Sequence, residues 1–159
     1  MAISTTTVTI NAAFLREIKE DNERLKDLFA ELRQACSPDR REVKLTRHEL
    51  LEKLGDLRDQ LATHFALEEA FGYFDEPLMA APRLSAQAEE LRLQHADLFV
   101  RFCQLVEDAE DLYQHETHAH AFYHVAEQFR EFDAILQAHE QAENNLILEA
   151  FNSDIGVGD

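Results

Sequence analysis

Apolar residues recur along this chain in steps of three and four, the spacing that lines one face of an α-helix. Leu50, Leu54, Leu57 and Leu61 form one such seam, which His64, Glu68 and Phe71 continue. Leu15, Ile18, Asn22, Leu25, Phe29 and Leu32 form another. A third is Ala88, Leu91, His95, Leu98, Phe102 and Leu105. The fourth runs through Phe122, Val125, Phe129, Phe132, Leu136, His139, Glu143 and Leu146. No segment reads as a strand.

The breaks between seams set the predicted elements. Asn11 is an N-cap candidate for a first helix over about 12–36, ended by the Ser-Pro pair at Ser37 and Pro38. Thr46 and Glu49 have the Thr-x-x-Glu spacing of a capping box, starting a second helix that runs to about Phe74. Pro77 and Pro82 end that segment, and Ser85 is placed to cap a third helix reaching about Tyr113. The His-rich run His115–His120 is the next turn candidate, and a fourth helix extends to about Asn152. Long helices with short connections predict an all-α fold, an antiparallel up-down-up-down four-helix bundle. On this reading residues 1–10 are a flexible arm, 11–152 the bundle and 153–159 a flexible tail.

Each seam is interrupted by polar residues at a matching height. Asn22, His64 with Glu68, His95, and His139 with Glu143 all fall roughly 15 Å from the same end of the predicted bundle, at 1.5 Å per residue. The chain also carries a weak internal repeat, because Asn22 precedes His64 by nearly the interval at which His95 precedes His139. Each half ends in His-x-x-x-Glu.

Composition narrows what such a layer does. With 159 residues, 45% apolar, four Gly and three Pro, the chain suits one helical domain with its own core. The formal net charge of −17 disfavours nucleic acid and anionic membrane as partners and favours cations. Cys36 and Cys103 form no CxxC pair and read as free thiols of a reducing compartment. The N-terminus lacks a basic, then apolar, leader pattern, which points to the cytoplasm.

A single buried His or Asn commonly fixes helix register. Three His and two Glu in one layer ask for more. Burying two carboxylates uncompensated costs several kcal/mol each, and the seams supply no Lys or Arg. A multivalent cation resolves that conflict. His-x-x-x-Glu places imidazole and carboxylate one turn apart on one face, and mixed His/carboxylate ligation suits iron, manganese or zinc. Without metal, the two carboxylates are expected to repel until one takes up a proton.

The stretches "HFALEEAF" and "HEQAENNLILEAF", with His95 between them, resemble the hemerythrin-like, HHE cation-binding family over about Asn11 to Phe151. The resemblance implies a four-helix bundle around a non-haem di-iron centre. It implies His64, His95 and His139 as terminal ligands and Glu68 and Glu143 as bridging carboxylates, with zinc or manganese as substitutes. Where that family usually has a His on its first helix, this chain has Asn22, which weakens the site. The oxygen carriers of the family have a second His one turn after the third-helix ligand, and here that position is Phe99. Their fourth helix supplies His and Asp, where this chain has His139 and Glu143.

The leading functional expectation is a metal-binding protein that takes iron, oxygen or nitric oxide in sensing, storage or redox protection. The alternatives are an oxygen- or peroxide-reducing enzyme on the same centre, and a metal-free helical interaction protein. His115, His118, His120 and His124 read as a solvated turn and helix start.

Overall fold

The computed structural model describes residues 2–39, 45–70 and 82–158, with side chains described chiefly over 19–39, 45–69 and 82–150. The described residues form four helices: α1 (Ala2–Ala35), α2 (Arg47–Ala70), α3 (Ser85–His115) and α4 (His118–Gly158). A short 3-10 turn, Pro82–Leu84, leads into α3. No strand occurs among the described residues. The side chains of Leu15 and Ile18 lie outside those described, and Phe71, Pro77 and the expected end of the second helix at Phe74 lie outside the described residues.

Local chemistry explains most helix ends. The Glu49 amide donates to Thr46 Oγ1 at 3.1 Å and the Thr46 amide to Glu49 Oε2 at 3.4 Å, the reciprocal pairing of a capping box. The amide of Cys36 donates to the carbonyl of Leu32, and Pro38 then prevents continuation. Only Glu116 and Thr117 separate α3 from α4, and the His120 amide donates to Thr117 Oγ1 at 3.3 Å.

Three boundaries differ from the sequence reading. Ser85 does not cap α3; it is the first helical residue, and its hydroxyl donates back to the Pro82 carbonyl at 2.7 Å. Helix α1 starts at Ala2 rather than beyond Asn11, and α4 continues to Gly158 rather than stopping near Asn152. Neither Gly nor Pro occurs from Ala2 to Asn11, so nothing there stops a helix from extending, and an N-cap candidate inside a longer helix has no end to cap.

Residue pairs fix how the helices neighbour one another. Between α1 and α2, Asp21 meets His64 and Glu31 meets Lys53. Between α3 and α4, Gln94 meets His139, Phe102 meets Phe132, and Tyr113 meets His118. Helix α1 also meets α4, where Arg33 grips Asp133 with both Nε (2.8 Å) and Nη2 (2.7 Å), and Arg130 donates to the Cys36 carbonyl.

Among the described residues two apolar clusters form the interior. The larger includes Leu32, Leu54, Leu57, Leu61, Phe102, Val125 and Phe129, all essentially without solvent exposure. Each such side chain contributes about 1.5–3 kcal/mol of burial energy. The smaller cluster gathers Leu84, Ala88, Leu91, Leu146 and Ala150. On α3, His95 sits between Leu91 and Leu98; on α4, His139 and Glu143 sit between Leu136 and Leu146. The polar layer therefore separates the two clusters.

Candidate metal centre

All three seam imidazoles are buried: His64 at 7% exposure, His95 at 3% and His139 at 4%. Glu143 is buried at 3%, and the Glu68 side chain is 10% exposed. The structure thus brings the five sequence-predicted residues into one layer. His64 Nε2 lies 2.8 Å from Glu68 Oε1, and His139 Nε2 lies 2.7 Å from Glu143 Oε1, each pair one turn apart on its own helix. His95 Nε2 lies between the two carboxylates, 3.1 Å from Glu68 Oε2 and 3.8 Å from Glu143 Oε2.

Each imidazole is held from its far side. His64 Nδ1 is 2.7 Å from Asp21 Oδ2, and His139 Nδ1 is 2.7 Å from Gln94 Oε1. His95 Nδ1 has a longer contact, 3.4 Å, to the half-exposed Glu69. The Nε2 atoms are thereby aimed inward. Holding one ring nitrogen so that the other is presented as a lone pair is the usual arrangement around a metal-binding histidine. Phe65 stacks on His95 at 4.6 Å between ring centroids and 15° between planes, which limits water on that side.

The inward atoms stand at ion-pair distance from one another without well-aligned hydrogen bonds. Among the described residues, Glu68 Oε2, His95 Nε2, His139 Nε2 and Glu143 Oε2 are buried and make no hydrogen bond of good geometry, although His95 Nε2 is 3.1 Å from Glu68 Oε2 and His139 Nε2 is 2.7 Å from Glu143 Oε1. Buried polar atoms with poorly aligned partners are costly, so a cluster of four calls for an explanation. His95, His139 and Glu143 each offer a donor atom, and all three atoms lie within 4.8 Å of one another. Imidazole nitrogens and carboxylate oxygens converging on one point form a set that could hold a metal ion.

In the metal-free protein the layer arranges its own charge. Burial works against a charged His64, but Glu68 and Asp21 beside it hold its pKa at about 9. Burial likewise opposes charge on His95, and Glu143 and Glu68 hold it at about 9. Glu68 is pulled down to about 2 by His64 and His95 despite its burial. Among His64, His95 and Glu68 the protons therefore reside on the imidazoles. For Glu68 that corrects the expectation of a raised carboxyl: burial and like-charge repulsion lose to the positive rings on either side. Glu140 is the carboxyl in this region whose pKa burial raises.

A cavity of about 480 Å³ opens beside the layer between α1 and α4. His64, Glu68 and Glu143 form its inner wall, with Asn22, Gln137 and Glu140 around it. Asn22 is only half-buried there; the buried α1 residue at this height is Asp21, at 5% exposure. Its carboxylate accepts from Gln60 at 2.5 Å through Oδ1, in addition to the Oδ2 contact with His64. Asp21, Gln94 and Glu140 are the neighbours that seam reading missed. For Asp21 a signal existed, since a step of four back from Leu25 reaches Asp21 and a step of three reaches Asn22. Gln94 and Glu140 flank seam histidines in sequence and carry no periodic signal.

The surface histidines lie apart. His120 and His124 face each other at 3.2 Å between Nε2 atoms on the first turns of α4. His115, His118 and His120 are exposed, as the sequence suggests.

The model of the hemerythrin HHE cation-binding domain matches residues 13–151. No curated protein and no solved structure matches the chain. No helix of the described residues is long and apolar enough to cross a membrane.

Proposed function

The chain belongs to the hemerythrin HHE cation-binding family, and on that premise we propose that it is a non-haem iron protein with a dinuclear centre in the His/Glu layer. His64, His95 and His139 would hold the metal as terminal ligands, and Glu68 and Glu143 would be the carboxylates shared between the two ions. The observation that carries this reading is the set of four buried donor atoms, none with a well-aligned hydrogen bond, converging from α2, α3 and α4. Zinc or manganese would serve the same donor set. The contact order between α1 and α2 and between α3 and α4, early residues against late ones, supports the antiparallel up-down-up-down topology.

Iron in such a layer, when bound, supplies redox chemistry and affinity for small ligands such as oxygen or nitric oxide. The protein's own contribution is positional. Asp21 and Gln94 orient two imidazoles, Phe65 limits water, and the cavity between α1 and α4 gives a small molecule a way in. We place the protein in the cytoplasm, consistent with Cys36 and Cys103 being thiols rather than a disulfide. The role is binding of iron and of a small ligand, in sensing, storage or redox protection.

The test is anaerobic ferrous iron addition to tag-free protein, followed by nitric oxide and electron paramagnetic resonance. The reading expects two irons per chain and a nitrosyl signal. Protein that takes up no iron, and shows no nitrosyl signal above buffer, sinks it.

A further inference from the structure

The polar layer is unequal on its two sides. Toward α3 and α4, two imidazoles (His95 and His139) accompany the carboxylates. Toward α1, His64 stands as the only imidazole. Helix α1 adds no free donor at the buried position, because both Asp21 oxygens are engaged: Oδ2 with His64 Nδ1 and Oδ1 with Gln60. Asp21 therefore acts through His64 and is not itself available to a metal.

Glu140 lies on the same side. It follows His139 on α4, about 100° around the helix, and lines the cavity together with His64, Glu68 and Glu143. It is half-buried, and among the described residues no hydrogen bond or ion pair engages its carboxylate. Of the cations lining the cavity, Arg33 feels the charge of Glu140 but gives its hydrogen bonds to Asp133, and Lys26 is exposed. A half-buried carboxylate that no hydrogen bond or ion pair engages is costly, and the more distant charges of His64 and Arg33 relieve that cost only in part.

We propose that Glu140 is a third metal-binding carboxylate, completing the half-site of His64 on the side where α1 supplies no ligand. This rests on the metal-centre reading above. It makes the two half-sites chemically different. One is imidazole-rich, with His95 and His139. The other has one imidazole and three carboxylates, a harder oxygen-dominated set that suits ferrous or manganous ions better than zinc or copper.

Anaerobic calorimetry with ferrous iron on the full chain tests it, using wild type, Glu140→Gln, Glu140→Asp and Asn22→Ala. Wild type should show two steps, one tight and one loose. Glu140→Gln should weaken the loose step at least tenfold and leave the tight step within about twofold. Glu140→Asp keeps the charge but shortens the reach, so it should also weaken the loose step. Asn22→Ala should leave both steps in place. Metal-free melting curves of each variant check folding. Loss of the loose step in Asn22→Ala but not in Glu140→Gln overturns the proposal. So does an unchanged Glu140→Asp, which would make the effect one of charge alone, or a wild type with a single step of one iron. Protein that binds no iron at all instead removes the metal-centre reading itself.

Discussion

Asp21 Oδ2 lies 2.7 Å from His64 Nδ1, and both side chains are buried. The pair fixes the ring so that Nε2 faces Glu68. Asp21→Ala frees the ring to rotate and leaves Gln60 without its acceptor. Loss of such a supporting partner typically costs 10–100-fold in metal affinity. The expected result is a drop of that size in the iron affinity of the His64 side, measured by competition with a chelator. An unchanged affinity would make Asp21 a packing residue only.

Acid and base titration of the metal-free protein has a definite sign. His64 and His95 have pKa values raised to about 9, so their contribution to stability is complete below about 6.5 and fades as pH rises through 9. Glu68, lowered to about 2, contributes fully above about 4.5 and loses its share as pH falls toward 2. The slope is at most about 1.4 kcal/mol per pH unit for each group, and less for groups that titrate together. The melting temperature of apoprotein should therefore fall between pH 6.5 and 9. A flat or rising profile contradicts the charge arrangement described here.

Metal binding is expected to reverse that trend. A ligand that binds the folded bundle better than the unfolded chain stabilises it by mass action, about 2.7 kcal/mol at one hundred times its dissociation constant. Binding also displaces protons from the imidazoles. The rise in melting temperature on adding ferrous iron should be larger at pH 8 than at pH 6, by anaerobic calorimetry. An equal or smaller rise at pH 8 argues against imidazole ligation.

Much of this was legible in the residues. The Thr46–Glu49 box and the Pro38 break emerge where spacing puts them, because capping and proline act locally. The layer of His64, Glu68, His95, His139 and Glu143 is visible because a buried seam punishes polar residues, so five at one height demand a cause. The neighbours are harder to see. Asp21 and Asn22 both satisfy helical spacing, and only packing against α2 decides that Asp21 is the one buried. Gln94 and Glu140 reach the layer from beside a seam residue, which period counting ignores. The protonation pattern was also out of reach, since it depends on which ring stands 3 Å from which carboxylate. The far ends of α1 and α4 depend on the absence of breakers, a weaker signal than their presence.

The histidines at the α3–α4 turn provide a control. His118→Ala and His120→Ala alter exposed side chains far in sequence from the layer. Iron per chain, by mass spectrometry after gel filtration, should match wild type in both. A loss of half the metal would move the site to the surface.

The central claim is that one His/Glu layer holds the metal, and Glu143 tests it most directly because the proposal has both metal ions share its carboxylate. Iron per chain should be measured by inductively coupled plasma mass spectrometry in wild type, His139→Ala and Glu143→Ala, each loaded anaerobically and desalted. The account predicts that Glu143→Ala is nearly empty rather than half-filled, and that His139→Ala loses most of its iron. Wild-type iron content in both variants would contradict it.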